Sequence, residues 1–146
     1  MAVEFKYPVR ILEKYLDVFG HVNNSTYLEL YEEARWEMIT QNGFGYDVIK
    51  EKKMGPVILG LNLRFKKELL GRDKIIIHTK YNGMRNSKIM KLSQWMTKDD
   101  GQLASTLDIE AGLFCTESRK LLAPTSLWFK AIGIDSKEEE LLTTDI

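Results

Sequence analysis

The hydrophobic pattern changes its period along the chain, and its longest regular stretch has the period of a helix. Between residues 27 and 39, apolar side chains recur three or four positions apart, with glutamates between them. Residues 24–26 can each cap the start, Thr26 has capping-box spacing with Glu29, and Asn42-Gly43 can end the segment. The pattern therefore predicts one long amphipathic helix. Its apolar positions are Tyr27, Leu28, Leu30, Tyr31, Ala34, Met38 and Ile39.

Five other stretches have the character of strands. Residues 3–12 precede the helix and include Pro8, which cannot donate a ladder hydrogen bond, so we place this strand at or near a sheet edge. Four strands are predicted after the helix, at residues 57–65, 74–81, 87–97 and 102–115. One strand, one long helix and four more strands indicate an α+β domain in which a curved antiparallel sheet wraps the helix.

Turn residues and the remaining periodicity complete the predicted organisation. Asp99-Asp100-Gly101 predicts a tight hairpin between the last two strands, and Asn82-Gly83 alone would predict another between the third and fourth. A short helix is predicted over residues 126–132, and we divide the chain into one domain, 1–134, and a mobile acidic tail, 135–146. In the last strand, one face is predicted to carry Leu103, Leu107, Ile109, Ala111 and Leu113.

Composition excludes several classes of function. A chain of 146 residues can bury one core, and its net charge of zero gives no general reason to expect nucleic acid or an anionic membrane as partner. The single cysteine, Cys115, cannot form an internal disulfide, and no spaced Cys/His set indicates a metal site. No apolar run approaches the roughly 20 residues of a membrane helix. We therefore expect a soluble, cytoplasmic protein without a metal or redox cofactor.

The loop before the helix carries the most specific motif. Residues 17–27 follow the pattern D-x-x-G-H-V-N-N-x-x-Y, and the helix continues with Tyr31, Glu33, Ala34 and Arg35. This combination closely resembles the hotdog-fold acyl-CoA thioesterases of the 4-hydroxybenzoyl-CoA thioesterase type, and plant acyl-ACP thioesterases are similar here.

The resemblance implies a fold and an assembly. It implies a five-stranded antiparallel sheet, in the order 1-3-5-4-2, rolled around one central helix, with subunits paired in a homodimer or homotetramer and active sites at their interface. This order separates the third and fourth strands, and we prefer it to a direct hairpin at Asn82-Gly83.

Thioester hydrolysis explains the polar loop, because it needs an activated water or a nucleophilic carboxylate, and donors for the charge that develops on the carbonyl oxygen. In the resembling family the carboxylate at the position of Asp17 is catalytic, as nucleophile or general base. A turn aspartate that bonds its own backbone is the alternative interpretation, and the motif favours catalysis. Free N–H groups at the helix start can form the oxyanion site, helped by the helix dipole. The groups near that start are Asn23, Ser25, Thr26 and Tyr27, which we assign to substrate binding.

Other polar residues of this region have more than one possible role. His21 can orient Asp17, touch the thioester or cap the loop, and Asn24 can position water or polarise the carbonyl. One branch of the family has histidine at the position of Asn24, so the histidine mechanism of that branch is not transferred. Tyr15 is a secondary candidate. The helix glutamates Glu29, Glu32 and Glu33 are interpreted as a solvated or interface face.

The coenzyme A part of the substrate would require cations and an apolar pocket. Coenzyme A carries several phosphates, and the resemblance favours Arg85 and Lys88 as their ligands. Arg64, Lys66 and Lys67 at the end of the second strand form a second candidate cluster, in which Lys66 and Lys67 are interpreted mainly as a solvated charged rim. Candidate pocket residues on the second strand, donated across the interface, are Leu59, Leu61 and Asn62.

These features lead to one main hypothesis and two alternatives. The main hypothesis is a thioesterase that converts acyl-CoA, or acyl-ACP, to a free acid and a thiol, with catalytic residues Asp17, His21 and Asn24. The first alternative is a non-catalytic acyl-CoA-binding module, a ligand sensor or assembly unit, for which a carboxylate at residue 17 has no chemical purpose. A dehydratase ranks lowest, because His21 and a helix glutamate would form an improvised catalytic pair.

Overall fold

The computed structural model describes residues 2–134; the predicted tail at 135–146 lies outside them. This part of the chain forms six strands, three α-helices and one short 3-10 helix (Glu13–Tyr15). In order, the strands and α-helices are β1 (Phe5–Arg10), α1 (Asn24–Gln41), α2 (Tyr46–Lys52), β2 (Met54–Phe65), β3 (Lys74–Met84), β4 (Ile89–Lys98), β5 (Leu103–Cys115), β6 (Lys120–Leu122) and α3 (Ser126–Ala131).

The strands form one antiparallel sheet in the order β1-β3-β4-β5-β2, and the short β6 pairs with the end of β5. β1 is an edge strand, as Pro8 predicts, and the hairpin at residues 99–101 is also confirmed, with Gly101 at φ +86°. β2 occupies the opposite edge of the path. Its outer side has no partner strand within residues 2–134.

The predicted strand order 1-3-5-4-2 is wrong. β3 and β4 pair directly, with Ile77 opposite Met96, so the hairpin indicated by the residues themselves is correct. Its turn lies beyond Asn82-Gly83, however, because β3 passes Gly83, at φ +96°, through a register irregularity and continues to Met84. The chain reverses at residues 85–88, where Asn86 Oδ1 accepts the N–H groups of Lys88 and Ile89, each at 2.9 Å.

The long helix α1 buries the predicted stripe against the sheet. Tyr31 and Ala34 are fully buried, and the Tyr31 hydroxyl donates to Ser105 Oγ at 2.9 Å, which satisfies it inside the core. Burial raises the pKa of Tyr31, although the Ser105 hydrogen bond opposes that shift. The curled sheet around one long helix is thus confirmed. The buried residues of α1 are Tyr27, Leu30, Tyr31, Ala34, Met38 and Ile39.

The helix begins earlier than its predicted caps allow. Asn23 is the N-cap, with an extended backbone and a side chain that accepts the N–H of Ser25, so the predicted caps at 24–26 and the Thr26–Glu29 capping box are wrong. These residues already form the first helical turn, because a polar residue one position upstream takes the cap. The predicted end is correct: Asn42 is the C-cap and Gly43 has φ +93°.

Three features of the periphery differ from or extend the predictions. Leu103 is exposed rather than buried, because the β4–β5 register shifts between Met96 and Thr97. α2 and β6 were not predicted, and both are short elements attached to strands already in the sheet. The predicted helix at 126–132 is confirmed as α3, whose Trp128 and Phe129 are buried.

Candidate active site

A short two-stranded ladder carries the loop motif to the start of α1. Leu16 pairs with Val22, the Asp17 N–H donates to the His21 carbonyl at 2.7 Å, and the Asn23 N–H donates to the Tyr15 carbonyl at 3.0 Å. The chain reverses over residues 17–20, with glycine at 20 where φ is +80°. Asp17 therefore lies at the turn end of this ladder, and α1 begins at its other end.

The two oxygens of the Asp17 carboxylate have different environments. Oδ1 accepts the N–H of Phe19 at 2.8 Å and the N–H of His21 at 3.2 Å, which fixes the side chain. Oδ2 has no hydrogen-bond partner among residues 2–134, and the side chain is exposed. Asp17 is thus a turn aspartate that still offers one unoccupied anionic oxygen to solvent.

The first turn of α1 offers an unpaired backbone donor. The N–H groups of Thr26 and Tyr27 both donate to the Asn23 carbonyl, at 3.0 and 3.3 Å, and the Asn23 side chain accepts the Ser25 N–H at 3.4 Å. The Asn24 N–H has no acceptor within the described part of the chain. Together with the positive end of the helix dipole, this N–H can bind an oxyanion.

His21 is oriented by a residue that the sequence analysis missed. Its Nε2 lies 2.8 Å from Glu68 Oε2, on the connection between β2 and β3. The backbone adds a second attachment, because the Val22 N–H donates to the Leu69 carbonyl at 3.1 Å. His21 therefore contacts Asp17 through its main chain, while its imidazole faces a carboxylate more than forty residues away in sequence, a pairing that spacing does not indicate.

A cleft of about 420 Å³ extends from this region along the outer face of α1. Tyr15 and Thr26 lie in its lining together with Trp36 and the glutamates of α1, including the predicted face residues Glu29, Glu32 and Glu33. Tyr27, in contrast, is buried, with its ring edge-on to Phe65 at 4.9 Å between centroids. Burial raises the pKa of Tyr27, and the Leu69 backbone opposes that shift.

The predicted coenzyme A ligands lie elsewhere in the protomer. Arg85 and Lys88 occupy the β3–β4 turn, whereas the loop approaches the other end of β3, where the Arg72 N–H donates to the Ile11 carbonyl. An 11-residue strand such as β3 separates its two ends by roughly 33 Å. Arg85 Nη1 donates to Glu110 Oε2 at 2.7 Å and is exposed.

The predicted pocket residues on β2 are likewise separate from the loop. Leu59 and Leu61 are 45% and 49% exposed, which is unusual for leucines in a 12-residue strand. Leu61 and Asn62 border a shallow depression with Asp108 and Lys91. One protomer therefore brings together residues 15–27 and does not bring Leu59, Leu61, Asn62, Arg85 or Lys88 to them.

Two further features of residues 2–134 bear on the site. No group of three or more histidine, cysteine, aspartate or glutamate side chains in this part of the chain is arranged to hold a metal ion. None of its helices is both long and apolar enough to cross a membrane.

Comparisons with known proteins identify a family. The family model for the thioesterase-like superfamily matches residues 9–133. Among curated proteins, the long-chain acyl-CoA thioesterase FadM of Escherichia coli K12 is 28% identical over 116 residues, which cover 79% of this chain and 86% of the relative. A putative esterase of Aquifex aeolicus is 31% identical over 74 residues, covering 51% and 58% of the two chains.

Solved structures show the same fold. A hypothetical protein from Staphylococcus aureus, solved in complex with CoA, superposes with a TM-score of 0.81 at 17% identity, covering 90% of this chain and 83% of that one. The probable thioesterase YbaW of Escherichia coli has a TM-score of 0.77 at 24% identity, with coverages of 87% and 95%. The predicted resemblance is thereby confirmed, and the chain belongs to the thioesterase-like superfamily.

Proposed function

We propose that this protein is an acyl-CoA thioesterase with Asp17 as its catalytic carboxylate. The observation that carries the proposal is the difference between the two Asp17 carboxylate oxygens. Oδ1 accepts two N–H groups, whereas Oδ2 has no hydrogen-bond partner within residues 2–134. An immobilised carboxylate with a free oxygen is what a general base or a nucleophile requires. Membership of the family and the similarity to a long-chain acyl-CoA thioesterase support CoA thioesters as the substrate class.

The proposed reaction uses both ends of the ladder. Asp17 Oδ2 either takes a proton from the attacking water or attacks the thioester carbon itself. As negative charge develops on the carbonyl oxygen, this oxygen accepts a hydrogen bond from the Asn24 N–H at the positive end of α1. When Asp17 acts as base, the carbon–sulfur bond breaks as the proton taken from water passes to the departing thiolate. When Asp17 acts as nucleophile, breaking that bond leaves an acyl-aspartyl anhydride, which a water molecule then hydrolyses to restore the carboxylate, while the thiolate takes a proton from solvent. Both routes give the free acid and the thiol of coenzyme A. In this proposal the His21 imidazole, which lies 2.8 Å from Glu68 Oε2, contacts the substrate.

The complete site is proposed to form between two copies of the chain. Within one protomer, Arg85 and Lys88 lie at the far end of the sheet from Asp17, so a partner must bring such cations to the nucleotide. β2 is suited to the contact, since it is a long edge strand with exposed Ile58, Leu59 and Leu61. A homodimer that pairs β2 edges would bury these side chains and bring the two active sites together.

Replacement of two exposed leucines of β2 by lysine tests that assembly. The double substitution Leu59→Lys and Leu61→Lys should produce a folded monomer, because cations repel across the proposed two-fold axis and block strand pairing. We expect at least a tenfold loss of hydrolysis, on the order of the 1.4 kcal/mol that corresponds to that factor. Sedimentation velocity measures the mass, and Val3→Lys, at an exposed residue just before the opposite edge strand β1, is the control. A double variant that stays dimeric would contradict the proposed interface.

Removal of the Arg85 guanidinium should separate nucleotide binding from chemistry. Arg85→Ala is expected to raise KM for acyl-CoA about tenfold, a loss within the range of one charge-assisted hydrogen bond. Hydrolysis of the matching acyl N-acetylcysteamine thioester, which lacks the nucleotide, should change little. Steady-state kinetics with both substrates provide the measurement, and an equal effect on the two would exclude a nucleotide-binding role for Arg85.

A thiol-release assay over short, long and aromatic acyl-CoAs, with acyl-ACP added to the panel, tests the function itself. Turnover of at least one thioester is expected, and the best acyl group defines the pocket. An acyl-CoA-binding module without catalysis would instead bind these ligands and release no thiol. That outcome would overturn the enzyme proposal while leaving the fold unaffected.

A further inference from the structure

A second cavity lies between α1, the sheet and α3, beside the cleft that Tyr15, Thr26 and Trp36 line. Its volume is about 220 Å³, and most of its wall is apolar, with Ile39, Leu92, Ala111 and Trp128 among the lining residues. Glu32 and Trp36 border both this cavity and the cleft, so the two spaces meet along α1. An apolar cavity that adjoins a candidate active site is suited to a hydrocarbon or aromatic group.

Arg35 is the unexpected member of this wall. Its Nη1 donates to Gln94 Oε1 at 2.9 Å, and no carboxylate among residues 2–134 forms an ion pair with it. Burial lowers the pKa of Arg35, and the charge of Glu32 opposes that shift. An arginine remains protonated at neutral pH even so. Within residues 2–134, therefore, no carboxylate lies at ion-pair distance from this guanidinium, and Glu32 in the same wall stabilises its charge only from farther away. A partly buried charge without a close partner is costly unless a ligand compensates it.

The buried side chain of Gln94 fixes the position of the Arg35 guanidinium. Gln94 is 1% exposed, and its Nε2 donates to the Tyr31 carbonyl at 3.1 Å and to Thr79 Oγ1 at 2.9 Å. The amide orientation is thereby determined, and its oxygen is directed at Arg35. One neutral acceptor satisfies only part of a group with five donors, so a planar anion can still bind the remaining N–H groups.

We propose that this cavity binds a carboxylate carried on an apolar group, with Arg35 as the anchor of the carboxylate. The proposed thioesterase function supplies two possible sources of such a ligand. The inference depends on that function only for deciding which source is the natural one. The carboxylate is either that of the released free acid or a second, distal carboxylate on the acyl group of the thioester. Both place an apolar chain against Leu92 and Trp128 and an anion against Arg35.

Direct binding tests the site without turnover. By calorimetry, wild type should bind octanoate about 10- to 100-fold more tightly than octanol, as a charge-assisted hydrogen bond predicts. Arg35→Met should abolish that preference, and Lys50→Met, which removes an exposed charge from α2, should retain it. Equal affinity for octanoate and octanol, or binding of neither by wild type, would overturn the proposal irrespective of hydrolytic activity.

A second variant covers the case in which Arg35→Met does not fold. Gln94→Glu places a carboxylate against Arg35 within the chain, so it should neutralise the site and weaken octanoate binding as strongly as Arg35→Met. Undiminished octanoate binding by a folded Gln94→Glu protein would contradict the assignment.

Kinetics then identify the source of the carboxylate. A lower KM for the mono-CoA thioester of octanedioic acid than for octanoyl-CoA, lost in Arg35→Met, indicates the distal carboxylate. Octanoate binding without that kinetic preference indicates the product acid. Absence of all thiol release would reject the proposed function and leave the octanoate result standing on its own.

Discussion

Asp17→Asn should assemble and unfold like wild type and yet lose about 10²- to 10⁴-fold in kcat, the range that a catalytic acid–base group contributes. The carboxamide oxygen of asparagine can still accept the N–H groups of Phe19 and His21, so the loop is expected to keep its shape. What disappears is the anionic oxygen that activates water or attacks the carbon. Steady-state thiol release gives kcat, and thermal unfolding followed by circular dichroism verifies the fold.

Two matched variants make the result specific. Asp47→Asn removes the same charge from the exposed first turn of α2 and should leave kcat unchanged. Asp17→Ala also removes the oxygen that fixes the loop, and it should therefore lower thermal stability as well as activity. Wild-type kcat in Asp17→Asn would remove the carboxylate from the mechanism, and a helix glutamate such as Glu33 would become the next candidate.

Phe44→Ala should reduce the free energy of unfolding by about 3–5 kcal/mol, the cost of truncating a buried aromatic side chain. Phe44 is 0% exposed and lies edge-on to Trp128, with 5.2 Å between ring centroids. It follows the end of α1, where its N–H donates to the Ile39 carbonyl at 2.8 Å. The ring therefore joins α1 to α3, and its loss leaves a cavity that these elements cannot easily close.

Urea unfolding measures this effect as a lower midpoint at an unchanged m value. Phe19→Ala is the matched control, because Phe19 is 78% exposed and its truncation should change stability by less than about 0.5 kcal/mol. If Phe44→Ala unfolds at the same urea concentration as Phe19→Ala, the role of the α1–α3 contact is refuted.

The hydrophobic period was sufficient for the helix and most strands but not for their arrangement. The stripe from Tyr27 to Ile39 specifies which face is buried, because the period of 3.6 residues follows from helix geometry. Strand alternation, in contrast, states which side chains share a face and not which strand lies alongside. The order 1-3-5-4-2 came from the resemblance, whereas β3 and β4 pair as direct neighbours. Leu103 was misplaced because a shift of register reverses the faces of a strand.

The candidate site was predictable to the extent that its chemistry is local. Asp17 and the donors at the helix start belong to one stretch of sequence, so the motif and capping chemistry indicated them together. Contacts between distant segments carry no such signal. Glu68 reaches His21 only after the β2–β3 connection is folded against the loop, and Gln94 meets Arg35 only through the packing of β4 on α1.

The measurement that tests the central claim most directly is thiol release from acyl-CoA by wild type and Asp17→Asn, compared at the same oligomeric state. The account predicts hydrolysis of at least one acyl-CoA by wild type and its near disappearance in Asp17→Asn. Acyl-CoA binding without thiol release by wild type, or equal turnover by the two proteins, would contradict it.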